Sequence, residues 1–207
     1  MRDFLRVLFF IFILRPFMTL FIGLRVYGRA NIPKQHPFIL AANHSSHMDT
    51  AALLSLFPLG EIKKIRPVAA ADYFERNWLI SELAHTLFNI LSINRLCAKK
   101  RHENPLMPIE EAMRSKQSLI FFPEGTRSTS GHMGELHSGI LHLAEKHPEV
   151  PVVPVYLSNM WRSLPKGEFI PLPFFCEIRI GEPLFLKGSR QEALDGLKTA
   201  MLKLRDA

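Results

Sequence analysis

A chain of 207 residues, 47% of them hydrophobic, has the size of one domain that buries its own core without staples. Its 26 Lys and Arg against 19 Asp and Glu leave a net charge of +7 and a pI near 9.6, which favours acidic partners: anionic lipid headgroups, phosphorylated substrates, an acidic carrier protein or nucleic acid. Two cysteines, Cys97 and Cys176, form no metal or redox spacing, which excludes a disulfide-stapled scaffold and suits a reducing compartment.

Phe4 to Leu24 is apolar and aromatic except for Arg6, Thr19, Gly23 and the central pair Arg15-Pro16. The stretch is long enough to span a bilayer, but a central arginine costs about 2.5–3.5 kcal/mol on insertion scales and a proline breaks a helix there. The spacing therefore predicts a pair of short helices lying in the membrane interface, with a single span as the alternative. Their apolar faces enter lipid while Arg2, Arg6, Arg15, Arg25 and Arg29 meet anionic headgroups. A signal peptide fits less well, because no small-x-small cleavage site follows the apolar core. Residues 1–24 thus form a membrane-associating segment and 25–207 the main domain.

Arg25 to Gly28 reads as a short strand, and Asn31 to Lys34 as a turn. Phe38 to Ala42 is an unbroken apolar run without alternation, so it predicts a strand buried on both faces. Asn43-His44-Ser45-Ser46-His47-Met48-Asp49 follows, with Ser46 placed to cap a helix that Pro58 stops. Asp49 lies five residues after His44, an offset that separates the two side chains if both sit in one helix. With His44 in the loop, the carboxylate can hold one ring nitrogen and leave the other to accept a proton. Equally, Asp49 can close a capping box with Ser46 and leave His44 an ordinary loop residue. His44, His47 and Asp49 also offer metal ligands, although no other cluster shows ligand spacing.

Arg66 to Ala71 predicts a further strand, Trp78 to Ile90 an apolar helix, and Ser92 to Arg95 a short strand ahead of the basic run Lys99 to His102. That run is either solvated or docks an acidic carrier or membrane. A helix over Pro105 to Lys116 and a second buried strand over Ser118 to Phe122 come next. The strand feeds Pro123-Glu124-Gly125-Thr126-Arg127-Ser128, where the glycine frees the backbone and the arginine offers a planar fork suited to phosphate. A plain surface turn reads the same way. Ser138 to His147 is helical, and Val150 to Leu157 is a third buried strand whose two prolines demand an edge, a strand start or a bulge. Phe174 to Ile180 adds a strand and Arg190 to Arg205 an amphipathic helix. The fold expected is α/β, a central, mostly parallel sheet flanked by helices, with the N-terminal membrane-interface helical pair attached.

Four blocks in order resemble the glycerolipid acyltransferase family typified by lysophosphatidate acyltransferase. They are the His-x4-Asp block at Asn43 to Asp49, Arg95 in Ile93-Asn94-Arg95, Phe122 to Ser128, and Val152-Val153-Pro154-Val155. The resemblance implies that His44 is the general base and Asp49 orients it. It implies that Glu124, Gly125, Thr126 and Arg127 bind the acceptor's glycerol phosphate, and it draws Asn43, Arg95, Ser128 and His137 into the substrate site. Where the family usually has Phe-Lys-x-Gly, this chain has Leu136-His137-Ser138-Gly139, which removes a permanent positive charge from the acceptor region. The implied reaction moves a fatty acyl group from acyl-coenzyme A or acyl carrier protein to the hydroxyl of lysophosphatidate. Glycerol 3-phosphate or another lysophospholipid is the alternative acceptor. A thiolate leaves readily, its conjugate acid having a pKa of about 8.5, so a base beside the hydroxyl suffices, with backbone donors near the helix start available to the oxyanion. Neither a cofactor, a metal nor nucleic acid is called for. An anionic membrane surface at the cytoplasmic face of the inner membrane is the expected location, monotopic or peripheral. From other classes, a metal-dependent hydrolase using His44, His47 and Asp49 and a catalytically silent membrane-binding module remain alternatives. The segment Asn159 to Gly167 has no place in the family pattern.

Overall fold

Apolar runs without alternation become strands covered on both faces, and the middle strands of this sheet follow that rule. The computed structural model describes residues 2–71, 82, 85–93, 106–165, 168 and 170–207. Its strands are β1 (Arg25–Tyr27), β2 (Ile39–Ala42), β3 (Ile65–Ala70), β4 (Leu91–Ile93), β5 (Ser118–Phe121), β6 (Val152–Ser158) and β7 (Glu177–Ile180). They lie in the order β1-β7-β6-β2-β5-β3-β4, and every neighbouring pair is parallel except β6 and β7. All residues of β2 and β5 are buried. Arg95, Cys97, the basic run Lys99 to His102 and part of the predicted Trp78 to Ile90 helix lie outside the described residues.

Strand alternation divides the core in two. Leu40, Ala42, Ile120, Val153 and Val155 share one face with the N-terminal helix α1 (residues 2–21) and with α2 (Asp49–Ser55). Ile39, Ala41, Leu119, Phe121 and Val152 share the other with α3 (Met107–Arg114), α4 (Gly139–Lys146) and α6 (Arg190–Asp206). A short α5 (Met160–Ser163) follows β6. The expected helix at the C-terminus starts on a capping box, Ser189 with Glu192.

The N-terminal segment differs from the expected pair: α1 is one helix. It is α-helical over Arg2–Phe9 and π-helical over Phe10–Leu14 and Phe17–Phe21, and Pro16 between them keeps helical dihedrals of φ −56° and ψ −42°. Arg15 N–H donates to Phe10 O and Ile22 N–H to Phe17 O, five residues back rather than four. Such widened turns make room for the proline ring and pair the backbone groups it frees, so the helix continues. Phe10, Leu14, Met18 and Ile22 then line one side and sink into the core, at most 5% exposed. Arg6 and Arg15 also turn inward, Arg6 to the carbonyls of Thr86 and His85 and Arg15 to that of Phe57.

Two strand expectations shift. β7 begins at Glu177 rather than Phe174, because the proline-bearing stretch before it leaves the sheet with its large side chains exposed. Pro154 sits inside a strand flanked on both sides, and a bulge accommodates it. Val152 N–H donates to Leu184 O, so Pro154 two residues on faces the same side, at the break between Ile180 and Leu184 where no donor is required. Gly181 N–H fills the Pro154 carbonyl at 2.9 Å.

Candidate active site

Three adjacent parallel strands, β6, β2 and β5, end on the same side, so the loops that leave them converge there. His44 comes from the loop after β2, Phe122 to His137 from the loop after β5, and α5 from the loop after β6. The first loop is tied to β6 by Asn43, whose side-chain amide accepts from Leu157 N–H at 2.6 Å and donates to Leu157 O at 3.0 Å. Asn43 is 1% exposed, a fastener between strands with both amide atoms in use.

His44 Nδ1 lies 2.8 Å from Asp49 Oδ2. Asp49 is wholly buried, and the same oxygen accepts the N–H groups of Ser45 and Ser46 at 2.7 and 2.8 Å. Three donors on one oxygen fix the carboxylate, and the carboxylate fixes the ring with Nδ1 engaged. Nε2 is then the basic nitrogen of the tautomer. Of the capping box only one half is present: Asp49 takes Ser46 N–H, while Ser46 Oγ does not take Asp49 N–H, and the same carboxylate oxygen holds the His44 ring. The helix starts formally at Asp49, two turn residues later than a Ser46 cap implies, with Ser46 Oγ accepting from Met48 N–H.

The second loop grips His44 as well. The Phe122 ring stacks on the imidazole, centroids 4.0 Å apart and planes 17° from parallel. Two residues on, Glu124 accepts His44 N–H through one oxygen and Gly134 N–H through the other, each at 2.7 Å. Ser128 N–H closes onto His44 O at 2.8 Å. Glu124 is buried, and burial pushes its carboxyl above the ordinary range against the pull of its two N–H donors. Sequence reasoning missed Phe122 and Gly134. The signal for Phe122 was its spacing, since positions 122 and 124 of an extended chain share a side.

The backbone donors expected for an oxyanion are largely spent. The N–H groups of residues 44, 45, 46 and 48 go to Glu124, Asp49, Asp49 and Ser46. The rim of the second loop carries the groups suited to an anion: Thr126 is exposed, and Arg127 and Ser128 are half-buried. Gly125 holds φ +66°, a turn that glycine tolerates, and a Cβ there would meet the His137 ring at 3.2 Å. His137 is exposed and anchored through its N–H to Pro123 O. His47 is held below the usual histidine range by burial and then by the Arg127 cation, which places those two side chains near each other. Among the described residues no three His, Cys, Asp or Glu side chains converge as a ligand set. Asn159 to Leu164 now has a place: the Trp161 indole lies against Gly131 of the second loop, and Leu164 O accepts from Ser46 Oγ.

A sequence model of the acyltransferase family matches residues 23–158. The chain is 27% identical over 173 residues to the mouse 1-acyl-sn-glycerol-3-phosphate acyltransferase alpha, covering 81% of this chain and 56% of that protein. It is 31% identical over 150 residues to the Saccharomyces cerevisiae 1-acyl-sn-glycerol-3-phosphate acyltransferase, covering 69% of this chain and 46% of that protein. It thus spans about half the length of these relatives. The crystal structure of the 1-acyl-sn-glycerophosphate acyltransferase PlsC from Thermotoga maritima superposes with a TM-score of 0.75 at 26% identity, over 99% of this chain and 80% of that one.

Proposed function

The chain belongs to the acyltransferase family, and from that premise we propose that it moves a fatty acyl group from an acyl thioester to the free hydroxyl of lysophosphatidate. One observation carries the reading: a buried carboxylate orients His44 beside a loop whose rim offers Thr126, Arg127 and Ser128. The 1-acyl-sn-glycerol-3-phosphate acyltransferases it resembles support the choice of acceptor.

His44 Nε2 removes the proton of the acceptor hydroxyl as the oxygen attacks the thioester carbonyl. The tetrahedral intermediate then expels the thiolate, and the imidazolium returns the proton to the sulfur. Asp49 keeps the Nδ1 proton and stabilises the transient cation; it does not itself change protonation. Arg127 grips the phosphate through its planar fork, with Thr126, Ser128 and His137 around it. A carboxylate is a poor phosphate ligand, and Glu124 faces His44, so its role is to hold the catalytic loop. Asn43 fastens that loop to β6. Arg95 completes the substrate set that the family pattern implies. The donor is acyl-coenzyme A or acyl carrier protein.

The N-terminal helix supports a membrane location. Asp3–Phe21 is long and apolar enough to cross a bilayer, yet it is packed on the domain along one side. Four of its side chains lie in the core and two of its arginines bond the body's carbonyls. The opposite side exposes Phe4, Phe12, Ile13 and Leu20. A helix held this way lies in the interface with its free side in one leaflet. We place it at the cytoplasmic face of the inner membrane, residues 1–24 being the membrane-associating segment and 25–207 the acyltransferase domain. The test is to incubate purified protein with both thioester donors and with lysophosphatidate, glycerol 3-phosphate and other lysophospholipids, and to identify products by mass. Phosphatidate from lysophosphatidate alone is expected, and acylation of none of the acceptors overturns the reading.

A further inference from the structure

Outside the N-terminal helix the described surface carries one other dense group of exposed apolar side chains, and it occupies six consecutive positions. Ile170, Leu172, Phe174 and Phe175 are between 41% and 77% exposed. The stretch is tethered. Leu172 N–H donates to Ser163 O at 2.7 Å, Ser163 Oγ donates back to Leu172 O, and Asn159 Nδ2 donates to Phe175 O at 3.1 Å. Its apolar side chains are therefore held outward by a fixed backbone, with Pro171 and Pro173 stiffening the chain on either side of Leu172. Leaving such a patch in water is costly, and fixed apolar patches of this kind mark surfaces that are covered in use.

The patch is continuous with the end of α1. A Cβ at Gly23 would lie 2.6 Å from the Phe175 ring, so the ring sits directly on the backbone where the helix stops. Leu20 and Phe21, 83% and 44% exposed, are the last apolar residues of that helix. Strand register puts the whole assembly at the site-bearing end of the sheet. Glu177 pairs with Arg25 on one side and with Ser158 on the other, so the starts of β7 and β1 lie beside the end of β6. Leu157, one residue before Ser158, is the residue to which Asn43 fastens the catalytic loop. The same tether leads inward: Asn159 and Ser163, which hold the patch, flank Trp161 against Gly131, and Leu164 takes the Ser46 hydroxyl.

We propose that Ile170 to Phe175 is a second lipid-contacting segment, which together with the end of α1 seats the site-bearing edge of the sheet on an anionic phospholipid surface. The inference rests on the reading of α1 as an interfacial helix and extends it to a residue-defined footing. Charge identifies the occupant. Exposed Arg25 lies 5.6 Å from the Phe175 ring centre, and exposed Arg162 lies between Asn159 and Ser163, the two residues that tether the patch. Apolar side chains flanked by arginines match acyl chains beneath phosphate headgroups. This footing delivers a membrane-borne acceptor to His44 from the side, with its acyl chain still in the leaflet. α1 alone fixes one line on the membrane; a second contact off that line sets the tilt of the domain and so the height of the site.

The test compares the full chain with an Ile170→Glu/Leu172→Glu variant and with an Ile170→Trp/Leu172→Phe variant. Binding is read by co-sedimentation with vesicles of phosphatidylcholine and phosphatidylglycerol, which needs no turnover, so a failure of the acyl-transfer reading would leave this result standing. Circular dichroism melts confirm that the variants fold. Loss of two interfacial aliphatic side chains predicts roughly tenfold weaker vesicle binding, and the aromatic variant retains or exceeds wild-type binding. The kcat/KM for vesicle-borne lysophosphatidate falls by a similar factor in the Glu variant, and that for a monomeric short-chain acceptor stays unchanged. Equal vesicle binding by all three proteins overturns the proposal. So does sedimentation velocity without lipid showing a wild-type dimer that the Glu variant loses, since the patch would then cover a second copy of the chain. An equal fall on monomeric and vesicle-borne acceptor would also overturn it, by making the segment part of the site's own scaffold.

Discussion

The loops after β2 and β5, to which we assign the chemistry, are built in opposite ways. The first is locked: every N–H from residue 44 to 46 ends on a buried carboxylate, and Asp49 alone gathers two of them with the His44 ring. The second is divided along its length. Phe122 and Glu124 point at His44, while Thr126, Arg127 and Ser128 form a rim that runs from exposed to half-buried. A base has to be held, and a site for an exchangeable substrate has to be open. One seven-residue motif therefore serves two tasks, part of it working for the neighbouring loop.

Breaking the locked loop should cost most. His44→Ala removes the base and Asp49→Asn removes the carboxylate that sets its tautomer. Each is expected to lower kcat by roughly 10²- to 10⁴-fold with the fold intact. Steady-state kinetics on variants with wild-type circular dichroism check this, and near-normal turnover by either would remove the pair from catalysis.

The inward half of the second loop comes next. Glutamine at position 124 has one acceptor oxygen for two N–H groups, so Glu124→Gln sets an amide N–H against either His44 N–H or Gly134 N–H. Leaving a buried donor unsatisfied costs about 1–3 kcal/mol, which predicts a fall in kcat of about 10- to 100-fold with little change in the acceptor's KM. The outward half predicts the reverse split. Arg127→Lys keeps the charge and loses the bidentate fork, so the acceptor's KM should rise about tenfold while kcat holds. If both variants change the same parameter, the division of the loop is wrong.

That division was not legible in the sequence, and the reason is physical. A motif records which residue types occur together and leaves open which way each one faces. The motif groups Glu124 with Arg127 and draws Asn43 into the substrate site, although both Asn43 amide atoms go to Leu157. The strands were legible, because parallel strands covered on both faces must be largely apolar, as Ile39–Ala42 is throughout and β5 is after Ser118. The His44 and Asp49 pairing was legible too, since an offset of five works only across a loop-to-helix boundary. Pro16 misled: a proline bars an ordinary turn, and local propensity says nothing of the π turns that let α1 continue. Phe174 and Phe175 have strand composition, but where Phe175 sits is settled by Gly23 and Asn159, far away in the chain.

The smallest effect concerns stability rather than turnover, and it tests whether Glu124 is as enclosed as its contacts imply. Burial raises its carboxyl above the ordinary value; the N–H groups of Gly134 and His44 and the charge of His44 pull it down, and Asp49 adds to the rise. A carboxyl whose pKa is higher folded than unfolded binds its proton more tightly in the native state. Its contribution to stability is then fully present below the unfolded pKa and is lost as pH rises through the folded one. Between those two values, wild-type unfolding free energy carries a downward slope from this residue. Glutamine does not titrate, so Glu124→Gln should lack that slope: its deficit relative to wild type is largest at acid pH and shrinks as the pH rises toward neutrality. Urea unfolding of both proteins across that range measures the difference directly, with the other carboxylates cancelling. A deficit that instead grows as the pH rises would mean that the two N–H bonds outweigh burial, and that the ionised carboxylate is the form the catalytic loop was built around.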